Sequence, residues 1–148
     1  MKKTAVNAAG VDPITRAWLQ CQQHMTAPML ALPSHANAPA QFVFDRDSIT
    51  PSAQATRLLS FVISTSQGDR DALEAAITTQ AQHQLGLAVK PLLSVTDKRA
   101  TFACTPGLRR PPAHIVRGLV AVGDYINGPY PATLEGAVLS AQALDAWT

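Results

Sequence analysis

The chain has 148 residues, 47% of them hydrophobic and 15% charged, and a net charge of +2. This length suits one domain with a real core, and the basic residues are scattered and form no stripe interleaved with aromatics, which argues against a nucleic-acid-binding surface. Charged residues usually make up about a quarter of a globular domain. Two readings of the low charge stay open: part of the surface is meant to be covered by something else, or the chain is an ordinary alanine-rich domain.

The N-terminus, "MKKTAVNAAG", carries Lys2 and Lys3 but no apolar core segment, so no signal peptide is expected. No run approaches the 18 apolar residues of a membrane span. Cys21 and Cys104 lie far apart and form no metal spacing, which makes a reduced, cytoplasmic setting the expectation.

In chain order, "ITRAWLQC" (14–21) mixes β-branched and aromatic residues and predicts a strand. "PMLAL" (28–32) and the alternating "QFVFDR" (41–46) predict two strands of a hairpin, joined by the Pro/Asn-rich loop 33–40. Asp45, Arg46 and Asp47 read as a solvated strand end. "LLSFVISTS" (58–66) predicts a strand buried on both faces. The next segment is the clearest helix: Asp69 fits the N-cap, Leu73, Ala76, Ile77, Ala81 and Leu85 share one face, and Gly86 fits the C-terminal stop.

Lys90-Pro91 is expected to break the chain before a strand over 92–104 that bends near Asp97. "TPGLRRPPAH" reads as a loop. "GLVAVG" (118–123) predicts a short buried strand, and "PATLEGAVLSAQALDAW" (131–147) the last helix, with Pro131 at or near its first turn. The composition of elements is α+β, and the last strand–turn–helix looks like half of a βαβ unit.

The turn Gly123-Asp124 sits between that strand and that helix. It is either a plain turn or a ligand site. A helix N-terminus offers unpaired N–H groups and partial positive charge, a glycine admits a ligand to the backbone, and an aspartate accepts hydrogen bonds from hydroxyls. Ligands of α/β sheets lie at the carboxyl ends of strands.

The stretch "VAVGDYINGPYPATLEGAVLSA" resembles the C-terminal signature of flavin-dependent amine oxidases and phytoene-desaturase-type enzymes. Together with "DKRATFACTPGLRRPPA", "PITRAWL", "APMLAL" and "QFVFDR", it resembles the squalene-associated FAD-dependent desaturases, or hydroxysqualene dehydroxylases. The resemblance runs from about Asp12 to the end. It implies that Gly123 and Asp124 lie against the pyrophosphate and ribityl chain of FAD. It implies that Pro131, Ala132, Thr133 and Leu134 place a helix N-terminus at the flavin ring, with Tyr130 at the flavin edge.

The implied substrate is an apolar isoprenoid such as squalene or hydroxysqualene, reached by peripheral contact with the inner membrane surface. One departure is Ala141, where the family has glycine after the helix serine, Ser140.

Such enzymes begin with a GxGxxG dinucleotide grip. The glycines here stand at 10, 68, 86, 107, 118, 123, 128 and 136, so GxG occurs nowhere. The expectation is a C-terminal portion of an amine-oxidase-like fold. Residues 1–11 are expected to be a disordered or boundary segment, 12–117 a partial substrate-side region, and 118–148 the terminal strand–turn–helix of the FAD domain. An N-terminal FAD-binding chain is the implied partner, and this chain alone is expected to hold FAD weakly or not at all. The alternative is a non-catalytic remnant or partner-binding module.

Other candidates are weaker. His24, His35, His83 and His114 show no ligand spacing. Arg109-Arg110 either touches a pyrophosphate or anchors its loop. Trp18, Phe42 and Phe44 belong to the sheet core or line an apolar pocket.

Overall fold

The computed structural model describes residues 10–51, 56–66 and 68–144. They form seven strands and three helices, a mixed α+β arrangement: β1 Val11–Cys21, β2 Met29–Ala31, β3 Phe42–Asp45, α1 Arg46–Ile49, β4 Arg57–Ser64, α2 Arg70–Leu85, β5 Val89–Phe102, β6 His114–Val116, β7 Leu119–Val120 and α3 Leu134–Gln142. The chain divides into two compact units, Asp12–Ala100 and a smaller one of Met1–Val11 with Thr101–Thr148.

The larger unit is a five-stranded sheet in the order β2-β3-β4-β1-β5. The predicted hairpin forms, with Leu30 opposite Val43. β4 pairs antiparallel with β3 on one side and β1 on the other. Alternation along the strands puts Ala17, Leu19, Val43, Leu59, Phe61 and Ile63 on one face, where they cluster with Leu73, Ile77 and Ala81 of α2. The helix forms where expected. Asp69 Oδ1 accepts from Ala72 N at 2.8 Å, and Gly86 stops the helix at φ 68°.

Two buried polar side chains hold this unit's connections. Gln80 is 2% exposed. Its Oε1 accepts from Ala40 N at 2.9 Å and its Nε2 donates to Ala40 O at 2.9 Å, which satisfies both backbone groups of the loop residue. Asp45 is 1% exposed and pairs with Arg57 at 2.5 Å, so it is no solvated strand end. Its carboxylate also accepts from Asp47 N and Ser48 N, which caps α1. That cap is why Arg46 opens a helical turn where a strand end was expected.

Other expectations need correction. Lys90-Pro91 does not break the chain; both lie inside the 14-residue β5, which also runs through Asp97. β5 is an edge strand, and there a residue without an N–H is tolerated. β4 ends at Ser64, before Thr65 turns to φ 53°. Trp18, Phe42 and Phe44 are not in the core, because they alternate onto the sheet face opposite α2.

Candidate functional site

The Gly-Asp turn and α3 belong to the smaller unit. β6 and β7 form a hairpin, Val116 opposite Leu119. The expected buried strand over 118–123 is therefore only the two residues of β7. It is antiparallel to β6, and Leu119 and Val120 are exposed. The physical reason is local: the two residues between Val116 and Leu119 fold the segment back on its own predecessor.

Beyond β7, Ala121 N donates to Ala113 O at 2.8 Å and Asn127 N to Pro111 O at 2.9 Å. The Gly123-Asp124 turn closes with Ile126 N donating to Gly123 O at 3.2 Å, and Ile126 is buried beneath it. Arg110 is the anchor. Its guanidinium donates to the carbonyl oxygens of Asp124 (3.2 Å), Ile126 (2.7 Å) and Gly128. Of the two readings of Arg109-Arg110, this geometry makes Arg110 the loop anchor. A fixed fork of donors suits three carbonyls converging from one turn.

Gly123 has φ 145°, and a Cβ there would come within 2.6 Å of the Tyr125 ring. Its N–H donates to Ser140 Oγ at 3.1 Å, which ties the turn to α3. The helix itself starts later than expected. Thr133 is the N-cap, its Oγ1 accepting from Gly136 N at 3.0 Å and donating to Tyr130 O at 2.7 Å. Pro131 thus lies two residues before the N-cap, near the first turn and outside the helix itself. Tyr130 and Ala132, on either side of it, take φ 52° and 57°. Side chains other than glycine rarely adopt such backbone, and it concentrates at functional or tightly packed places. Here the bend brings the Tyr130 carbonyl against Gly136, which is buried and leaves no room for a Cβ. Trp147, the predicted end of the helix, lies outside the described residues; α3 is described to Gln142.

The six predicted site residues thus fall into two groups, and the first reaches the helix that the second opens through the bond from Gly123 to Ser140. Gly123 bonds to Ser140 in the last turns of α3, with Asp124 next to it in sequence, and Pro131, Ala132, Thr133 and Leu134 make the helix entry. Ser140 is six residues from Leu134, which is about 9 Å along a helix axis. The N–H groups of Leu134 and Glu135 have no intrahelical partner, and Leu134 is 88% exposed. Ser140, Arg110 and Tyr125 complete the arrangement. Tyr125 acts two residues from Gly123, whereas Ser140 and Arg110 act across 14 or more residues, so no local pattern identifies their partners.

The small unit buries little. Among its described residues only Ile126 and Gly136 are buried, while Ile115, Val116, Leu119, Val122, Tyr125 and Val138 are exposed. Among the described residues no three His, Cys, Asp or Glu side chains gather as a metal site, and no helix is long and apolar enough to cross a membrane.

No protein-family model matches the sequence, and no curated protein matches it. Among solved structures, the chain is similar to an oxidoreductase from Methanosarcina mazei, with a TM-score of 0.65 and 15% identity. The match covers 93% of this chain and 35% of that one. The chain therefore shares the fold of part of an oxidoreductase and spans about a third of that protein's length.

Proposed function

We propose that the chain is the C-terminal portion of an FAD-dependent oxidoreductase, acting on an apolar isoprenoid of the squalene or hydroxysqualene type. The observation that carries this reading is the bond from Gly123 N to Ser140 Oγ, which sets a Gly-Asp turn beside the helix that Thr133 caps. The pairing spans about 9 Å, and an elongated ligand fits it better than a single ion. The likeness to a third of an oxidoreductase supports the class. The FAD and the isoprenoid rest on the motif resemblance.

The residues fit a flavin dinucleotide in part. The N-terminus of α3 presents unpaired N–H groups and positive partial charge to an electron-rich group. The half-buried Asp124 carboxylate is an acceptor for a ligand hydroxyl. Gly123 fits less well, because the Tyr125 ring fills the side on which a ligand would approach; the ring must swing away. When bound, a flavin supplies the two-electron redox chemistry. The residues of this chain bind and orient.

The exposed apolar side chains of the small unit and the missing GxGxxG support an incomplete site that a second, N-terminal FAD-binding chain completes. The same two features favour the second reading, a remnant or partner-binding module that never holds FAD. A titration of FAD, followed by flavin fluorescence, decides between them. The chain is tested alone and then co-expressed with an N-terminal FAD-binding chain from the same genome. Saturable binding only in the pair is the expected result. No binding in either leaves the remnant reading, and tight binding by the chain alone overturns the incomplete site.

A further inference from the structure

The sheet face opposite α2 carries a groove of about 580 Å³, within the size range of small-molecule sites. Its lining follows from the strand registers. Phe42 and Arg16 flank Val62 on either side, and Phe44 and Trp18 flank Ser60. Arg46 follows Phe44 at the start of α1 and also lines the groove. The floor is mainly aromatic and aliphatic, with Ser60 between Phe44 and Trp18 and Ser64 also on the lining, and the charges there are two arginines and no acid.

Arg57, the arginine of this unit whose partner is buried, pairs with Asp45. Among the described residues no carboxylate pairs with Arg16 or Arg46. One sign of charge over a low-dielectric wall concentrates ions of the opposite sign. A guanidinium with no protein carboxylate is free to take a ligand's carboxylate or phosphate through charge-assisted hydrogen bonds. The apolar floor rejects a small hydrated anion and suits a hydrocarbon chain.

We infer that this groove binds an amphipathic anion, a hydrocarbon chain lying over Trp18, Phe44 and Val62 with its charged head on Arg16. Arg16 is favoured over Arg46 because it lies on an interior strand, between Ile14 and Trp18 of the same face. Arg46 stands at the rim and adds long-range attraction. The site is independent of the flavin reading, and its test contains no flavin.

The test uses the full chain with Trp147→Phe, which leaves Trp18 as the sole tryptophan. Its emission is followed on titration with laurate below micelle concentration, with dodecanol as the neutral analogue and acetate as the head alone. The expected result is saturable laurate binding, at least tenfold weaker binding of dodecanol, and none of acetate. Arg16→Gln brings laurate down to the level of dodecanol and leaves dodecanol unchanged. Arg46→Gln weakens laurate by a smaller factor. Both arginines are exposed, so these variants keep the fold, which circular dichroism checks. Equal affinity for laurate and dodecanol overturns the inference and leaves a groove for neutral chains. No saturable change with laurate, or an Arg16→Gln variant that binds like the parent, overturns it as well.

Discussion

The amide of Gly123 donates to the hydroxyl of Ser140 at 3.1 Å, across 17 residues of sequence. This bond joins the Gly-Asp turn to the helix that follows it. Ser140→Ala removes the acceptor while keeping the helix. A net loss of about 1 kcal/mol is expected, read as a lower urea midpoint, with faster proteolysis in the loop 124–130.

Gly136 is the second constraint on this site. An added methyl would strike the Tyr130 carbonyl oxygen. Alanine is a better helix former by about 1 kcal/mol, but overpacking costs about 1–3 kcal/mol. Gly136→Ala is therefore expected to destabilise, and a raised melting temperature would show that the Tyr130–Ala132 bend yields easily.

Asp124 tests the proposed cofactor contact. If the proposed pair of chains binds FAD, Asp124→Ala is expected to weaken it by about tenfold, the worth of one charge-assisted hydrogen bond. The backbone carbonyl of Asp124, held by Arg110, is retained in that variant, so the turn persists. Unchanged FAD affinity in the pair would remove Asp124 from the site.

Asp45 holds α1 through two backbone N–H groups, Ser48 Oγ and Arg57. Asp45→Ala removes a cap and the buried partner of a part-buried ion pair, and a loss of about 2–3 kcal/mol is expected in chemical denaturation.

Gln80 gives a prediction with a pH sign. Its Nε2 donates to Ala40 O and its Oε1 accepts from Ala40 N. In Gln80→Glu only the protonated acid can donate to that carbonyl, so folding raises the carboxyl pKa above its unfolded value of about 4.3. The variant's stability relative to the parent is then greatest below that value and falls as pH rises through the folded pKa. Denaturant midpoints from pH 4 to pH 8 check this; a pH-independent difference would show that water relieves the site.

Much of the larger unit was legible in the sequence. Asp69, Gly86 and the spacing of Leu73, Ile77 and Ala81 determine α2, because caps and helical periodicity are local properties. Alternation at 41–44 and the flanking loop determine the β2–β3 hairpin for the same reason. The resemblance at Gly123-Asp124 pointed to the segment that became the candidate site. Local pattern failed where a distant partner decides. Asp45 looked solvated because Arg57 is twelve residues away. Pro91 looked like a break because only the sheet order makes β5 an edge. The strand 118–123 looked buried because it is apolar, yet the pairing with β6 leaves it exposed. Tertiary structure alone set the Gly123–Ser140 bond, the clamp of Arg110 on three carbonyls and the alignment of Arg16, Trp18 and Phe44 on one open face. Each depends on long-range register, which residue identity at one position does not encode.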